Sequence, residues 1–173
     1  MRRTSRALRH DTAPAKVRTK EPRRIYDFAL RVILVPVDFS ASSLHALDHA
    51  VALAKRFDAS IKLLHVLDPM YAPGRFDAPR LRSLRADALR DAKLKLAKLA
   101  KRHVQAHVAV RHRVLDGIAY SVIIETAAKA KADMIVMGSE GRTGMRRFLV
   151  GSVAEKVIRH APCPVLIVRN KRR

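Results

Sequence analysis

The residues of this chain best suited to chemistry are three glycines and a serine at fixed spacing, Gly138-x2-Gly141-x9-Gly151-Ser152. The short apolar run Met134-Ile135-Val136-Met137 leads into them, reads as a buried strand, and stops at Gly138. Beyond them Val153, Ala154, Val157 and Ile158 recur at helical spacing, so Ser152 is expected to open a helix. A strand ending in glycine, followed by a helix that begins Gly-Ser, places backbone N–H groups around an anion. Glycine lets the backbone approach a phosphate with no side chain in the way. A helix N-terminus adds unpaired donors and a favourable dipole. Taken singly, Gly138, Gly141 and Gly151 would be turn or cap residues. Their joint spacing with Ser152, which offers a hydroxyl and an N–H, favours a phosphate cradle. Arg142, Arg146 and Arg147 add positive charge between the glycines. No Gly-Lys-Ser/Thr occurs, so this is not a Walker-type loop.

Three further stretches accompany it: Val35-Pro36-Val37-Asp38-Phe39-Ser40, Leu64-His65-Val66 and Ala161-Pro162-Cys163-Pro164-Val165-Leu166-Ile167-Val168. With the glycine pattern, they make residues 29 to 169 closely resemble the universal stress protein family, in particular its ATP-binding members. The resemblance implies a cytoplasmic, stress-linked regulatory module that binds ATP, with Mg²⁺ as a further expectation. Slow hydrolysis or self-phosphorylation would at most be a by-product of holding phosphates and water together. It implies a nucleotide-binding set of Pro36, Asp38, Val66, Met137, Gly138, Ser139, Gly141, Arg142, Thr143, Gly144, Gly151, Ser152 and Val153. Within that set Asp38 would serve the adenosine half, since a carboxylate accepts from ribose hydroxyls or an exocyclic amine. Val66 would contact the adenine. On its residues alone, Asp38 reads as a strand-end aspartate capping the next turn. Relatives usually form homodimers through the last strand, here Val165 to Val168. One position departs from the family pattern: Glu140 stands where many relatives carry histidine or another non-acidic residue. A carboxylate beside a triphosphate repels it unless it points to solvent or to a metal.

These groups have to be positioned by a fold, and the pattern specifies one. Arg31 to Val37 and Ile61 to Val66 read as buried strands, and Val104 to Val114, alternating apolar and polar, as a more exposed one. Ser40 is a candidate N-cap for a helix lined by Leu44, Leu47, Val51 and Ala54 to about Phe57. Asp68 to Pro79, rich in Pro and Gly, reads as a loop. Leu81, Leu84, Ala88, Ala92, Leu96 and Leu99 mark a long amphipathic helix whose other face is Arg and Lys. Gly117 precedes a helix carrying Val122, Ile123, Ala127 and Ala130, and Pro162 and Pro164 lead into the strand Val165 to Val168. Strands and helices thus alternate five times. The expectation is an α/β three-layer sandwich, Rossmann-like, with a five-stranded parallel sheet covered on both faces. Ligands of such sheets sit beyond the strands' carboxyl ends at a switch point, where Asp38 and Gly138 would converge. By resemblance this is the adenine nucleotide alpha hydrolase-like arrangement.

Composition sets the frame. With 173 residues the chain is long enough for one domain and a proper core. The single cysteine, Cys163, excludes an intrachain disulfide and fits a reducing compartment. No apolar run approaches the ~18 residues of a membrane span. The net charge of +21 is unevenly spread. Residues 1 to 24 hold nine Lys/Arg against two acids, and residues 75 to 113 hold twelve basic residues against three Asp. The expected organisation is a basic, disordered arm over 1–28, one domain over 29–169, and a basic tail over 170–173. The arm can also be read as an organelle-targeting peptide, being rich in Arg and poor in acids. Its charge favours weak, salt-sensitive polyanion binding.

Two rival readings follow from the same features. An adenylating enzyme of the same superfamily would need a Ser-Gly-Gly-x-Asp-Ser loop or a His-x-Gly-His, and the turn Asp38-Phe39-Ser40-Ala41-Ser42 has neither. A nucleic-acid-associated basic protein would lack an aromatic stacking platform. His45 and His49 share the spacing of zinc-hydrolase helices but lack the glutamate and a third ligand, so they read as solvated. His65 reads as a strand-end residue and Cys163 as an inert thiol. No base stands beside a nucleophile in the sequence pattern, so no catalytic residue is assigned.

Overall fold

The computed structural model describes residues 29–68, 78–104, 108–140 and 150–169. The expected arm and tail lie outside them, as do positions 69–77 of the expected loop and Gly141, Arg142, Thr143 and Gly144 of the expected cradle. The elements in chain order are β1 (Val32–Pro36), α1 (Ala41–Phe57), β2 (Ser60–Leu67), α2 (Ala78–Val104), β3 (Val110–Asp116), α3 (Ala119–Lys129), β4 (Met134–Gly138), α4 (Ser152–His160) and β5 (Val165–Val168). All pairings are parallel and the strand order is β3-β2-β1-β4-β5. The order reverses between β1 and β4, which makes their carboxyl ends the switch point.

The apolar runs explain the layers. Central strands buried on both faces need apolar residues at every position. Ile33, Leu34 and Val35 of β1 and Ile135 and Val136 of β4 accordingly have no exposed surface. Alternation then divides them. Ile33, Val35 and Val136 pack with Ala46, Leu47, Ala50, Val51, Leu96 and Ala100 from α1 and α2. Leu34, Ile135 and Met137 pack with Ile123, Ala127, Ala154 and Val157 from α3 and α4. The three-layer sandwich expected from the pattern is the fold.

Helix α1 begins where Ser40 caps it, its hydroxyl accepting from the Ser43 amide at 3.2 Å. It ends at Asp58, in the left-handed region (φ 52°), whose N–H meets the Ala54 carbonyl. Aspartate tolerates that conformation better than most residues. At the opposite end of the sheet, Asp133 ties β4 to β1. Its Oδ2 accepts from the amides of Arg31 at 2.9 Å and Val32 at 2.8 Å. Gly117 joins β3 to α3 at φ 138°, and a Cβ there would stand 2.8 Å from Val122 Cγ2. Only glycine fits.

Three expectations need correction. The third strand starts at Val110, not Val104, because α2 continues to Val104. Ala92, Leu96, Ala100 and Val104 recur every fourth residue, and that helical period outweighs the alternation that follows. The edge position of β3 does account for the exposure of Arg111, His112 and Arg113. Pro79 lies in the first turn of α2 rather than in a loop, where its missing N–H costs no helical bond. Finally, Leu84 and Ala88 are exposed although they continue the apolar stripe. A 27-residue helix is about 40 Å long, whereas the seven residues of β3 span about 23 Å. The helix therefore overhangs the sheet, and only Ala92, Leu96 and Ala100 of its described side chains are buried.

Candidate functional site

The switch point lies where β1 and β4 separate. Beyond Pro36, the last residue of β1, Val37 still pairs with β2, its N–H donating to the Leu64 carbonyl at 2.7 Å. The chain then turns sharply. Phe39 adopts φ 66°, a conformation costing about 1–3 kcal/mol for a residue with a side chain. The turn is held by its polar side chains. Asp38 Oδ1 accepts from the Ser40 amide at 3.0 Å and from the Ser40 hydroxyl at 2.6 Å. Ser43 Oγ donates to the Ser40 carbonyl at 3.0 Å and accepts from the Asp38 amide at 3.3 Å. Asp38 therefore does cap the following turn, as its residue type alone suggested, and it does so at the switch point.

On the β4 side, Ser139 is buried and its amide donates to the Val168 carbonyl at 3.0 Å. Its own carbonyl accepts from the Gly151 amide at 2.7 Å. That bond brings the two ends of the glycine pattern together. Gly151 is the N-cap of α4, and it supplies no side-chain bond to the first turn. The amides of Ser152 and Val153 open that helix, and both side chains are exposed. An uncapped helix start leaves donors for an external anion. Glu140 is exposed, consistent with a carboxylate kept in solvent.

Gly138 has a reason the spacing did not disclose. A Cβ on it would collide with Ser42 of α1, meeting the Ser42 hydroxyl, its carbonyl carbon at 2.9 Å and its carbonyl oxygen at 3.0 Å. Close helix–strand packing thus demands glycine here. The Ser42 hydroxyl is buried and has no hydrogen-bond partner among the described residues. Met137 is also a core residue, 6% exposed and packed on the α3/α4 side. Pro36 and Val66 are half-buried near the carboxyl ends of β1 and β2. Pro36, Asp38, Val66, Met137, Gly138, Ser139, Gly151, Ser152 and Val153 thus all lie toward the same end of the sheet.

The remaining candidates fall elsewhere. His45 and His49 lie edge to face on α1, ring centroids 4.8 Å apart. Among the described residues no group of three or more His, Cys, Asp or Glu could hold a metal ion. Partial burial, then the nearby Asp133 carboxylate, push the Cys163 thiol above its ordinary range, against a hydrogen bond with the Ile135 backbone. A thiol held in that form is a poor nucleophile. The charged residues of α2 from Arg82 to Arg102 are exposed, with Asp87 paired to Arg90, Asp91 to Lys95 and Arg85 to Asp116. Among the described residues no helix is long and apolar enough to cross a membrane.

Sequence reading found Ser40 as a cap but missed Ser43, the second hydroxyl one turn on, and the conformation of Phe39. The positive φ of Phe39 carried no signal, because glycine or asparagine usually marks such a position.

Comparison with known proteins agrees with this fold. The model of the Universal stress protein family matches residues 29–169. A universal stress protein of Methanocaldococcus jannaschii is 38% identical over 144 residues, which span 82% of this chain and 83% of that protein. The solved structure of another protein of that organism superposes with a TM-score of 0.76 at 30% identity, covering 84% of this chain and 99% of that one. A crystal structure of a universal stress protein in complex with cAMP gives a TM-score of 0.60 at 28% identity, covering 81% of this chain and 97% of that one. With strands that switch order between β1 and β4 and a family match running from the start of β1 through the end of β5, this chain belongs to the universal stress protein family.

Proposed function

We propose that this protein binds ATP in the crevice between Asp38 and the start of α4 and acts as a nucleotide-linked regulatory module. The observation that carries the reading is the Ser139–Gly151 bond, which sets the uncapped N-terminus of α4 beside the end of β4 and opposite the Asp38 turn. Phosphates would lie against the amides of Ser152 and Val153, with Gly141, Arg142, Thr143 and Gly144 as the further expected contacts. The adenosine half would lie toward Asp38 and Val66. A relative of the same fold binds cAMP, which supports the adenine end of the assignment. Mg²⁺ would be held by the phosphates and water, since the described residues offer no carboxylate cluster for it. No residue is assigned a catalytic role, so the reading ends at nucleotide binding with at most slow turnover.

A calorimetric titration with Mg·ATP tests the reading. One saturable site per chain that persists at 0.3 M NaCl is expected. Heat that vanishes with salt would reveal only loose attraction to a chain of net charge +21.

The same reading includes a homodimer through β5, an edge strand on which Leu166 is 38% exposed. Exposed Ile158 and Val153 lie on the neighbouring α4. An unpaired strand edge with apolar side chains favours pairing with a second copy. Leu166→Glu is expected to convert a dimer into a monomer in light scattering at micromolar concentration. A wild-type monomer, or a dimer indifferent to Leu166→Glu, would contradict it.

A further inference from the structure

His65 is 3% exposed, at the carboxyl-terminal half of β2 and beside the crevice. Burying an imidazole costs more than burying an aliphatic side chain unless its nitrogens are used. Here Nδ1 stands 2.6 Å from the Val37 carbonyl. A carbonyl can only accept, so Nδ1 carries the proton. The imidazole ring packs against Phe39, centroids 4.6 Å apart and planes inclined by 41°. His65 therefore grips the residue before Asp38 by a hydrogen bond and the residue after it by a ring contact. Phe39 is the one in the left-handed region, and a strained residue keeps its conformation only where its surroundings impose it. The Lys95 ammonium, 5.9 Å from the Phe39 centroid, adds a weaker hold.

We infer that His65 is a positioning residue for nucleoside recognition: from β2 it fixes the Val37–Ser40 turn and so sets where the Asp38 carboxylate stands. The inference rests on the reading that an adenine nucleotide occupies the crevice. It goes beyond that reading by assigning the geometry of the nucleoside half to a side chain that need not touch ligand. A histidine that merely filled the core would influence both halves of the crevice alike. A positioning histidine separates them, because the α4 start is built from Ser139, Gly151 and Ser152, with which His65 shares no strand pairing.

The test uses His65→Phe, which keeps a ring but loses the donor, and His65→Asn, whose Nδ2 is as many bonds from Cα as imidazole Nδ1. Amide hydrogen exchange in the unliganded protein reads the turn directly. At Asp38 and Ser40 it is expected to quicken at least tenfold in His65→Phe and by a smaller factor, at least threefold, in His65→Asn. The amides of Leu34 and Ile135 should be unchanged. ATP affinity should fall about tenfold in His65→Phe, while affinity for inorganic tripolyphosphate stays within twofold. If His65→Phe fails to fold, the same exchange criterion applied to His65→Asn decides. Unchanged exchange at Asp38 and Ser40, or equal acceleration in every strand, overturns the inference, as does a parallel loss of both ligands. Wild-type protein that binds no ATP would sink the proposed function, while the exchange data would still decide the role of His65.

Discussion

Gly138→Val is expected to destabilise the protein by about 3 kcal/mol, the upper part of the range for overpacking a well-filled interior. The new Cβ alone would stand 2.9 Å from the Ser42 carbonyl carbon and 3.0 Å from its oxygen. Backbone atoms cannot rotate away as the end of a side chain can. Helix α1 cannot withdraw cheaply either, since Ala46, Leu47, Ala50 and Ala54 are almost wholly buried against the sheet. Trimming the other partner should help only in part: Ser42→Gly removes the hydroxyl but leaves the carbonyl in place. The double variant is therefore expected to recover less than half of the loss in urea denaturation. A Gly138→Val protein within 0.5 kcal/mol of wild type would mean that α1 and β4 are not in such close contact. The result also bears on function, because loss of ligand binding in a Gly138 variant would report damaged packing rather than a missing phosphate contact.

Gly141 is the better probe of the cradle. It lies between Ser139 and Gly151 in sequence and belongs to the glycine spacing that points to phosphate binding. Gly141→Val is expected to weaken ATP binding at least tenfold, about 1.4 kcal/mol. The melting temperature is expected to change little if position 141 serves the ligand rather than the packing of the domain. Unchanged calorimetric affinity in a folded Gly141→Val protein would remove the phosphate cradle from the account. The contrast between the two glycines is the informative part: stability should respond to position 138, affinity to position 141.

Much of this arrangement was legible in the sequence for identifiable reasons. The runs Val32–Pro36 and Met134–Gly138 are apolar at nearly every position, as strands buried on both faces must be, and they fixed the sheet's centre. Ser40 announced α1 because a hydroxyl before an apolar period has a definite use at a helix start. Local signals failed where two periods overlapped, around Val104, and where a helix outran its sheet, at Leu84. They also left a second cause undisclosed. Gly138 reads in sequence as room for phosphate, and its missing side chain is required by Ser42 as well, a residue 96 positions earlier that no local pattern connects to it. The grip of His65 on Val37 and Phe39 was invisible for the same reason, since it exists only once β1 and β2 lie side by side.

Amide chemical-shift mapping during an ATP titration decides whether adenine nucleotide binds at the carboxyl ends of β1 and β4. Shifts are expected at Asp38, Ser40, Val66, Ser139, Gly151, Ser152 and Val153. Arg31, Ser60 and Ala109, at the amino-terminal end of the sheet, should remain still. Shifts confined to the exposed Arg and Lys residues of α2, or centred on Arg31 and Ser60, would show that ATP meets this protein only as a polyanion, and the crevice would not be its site.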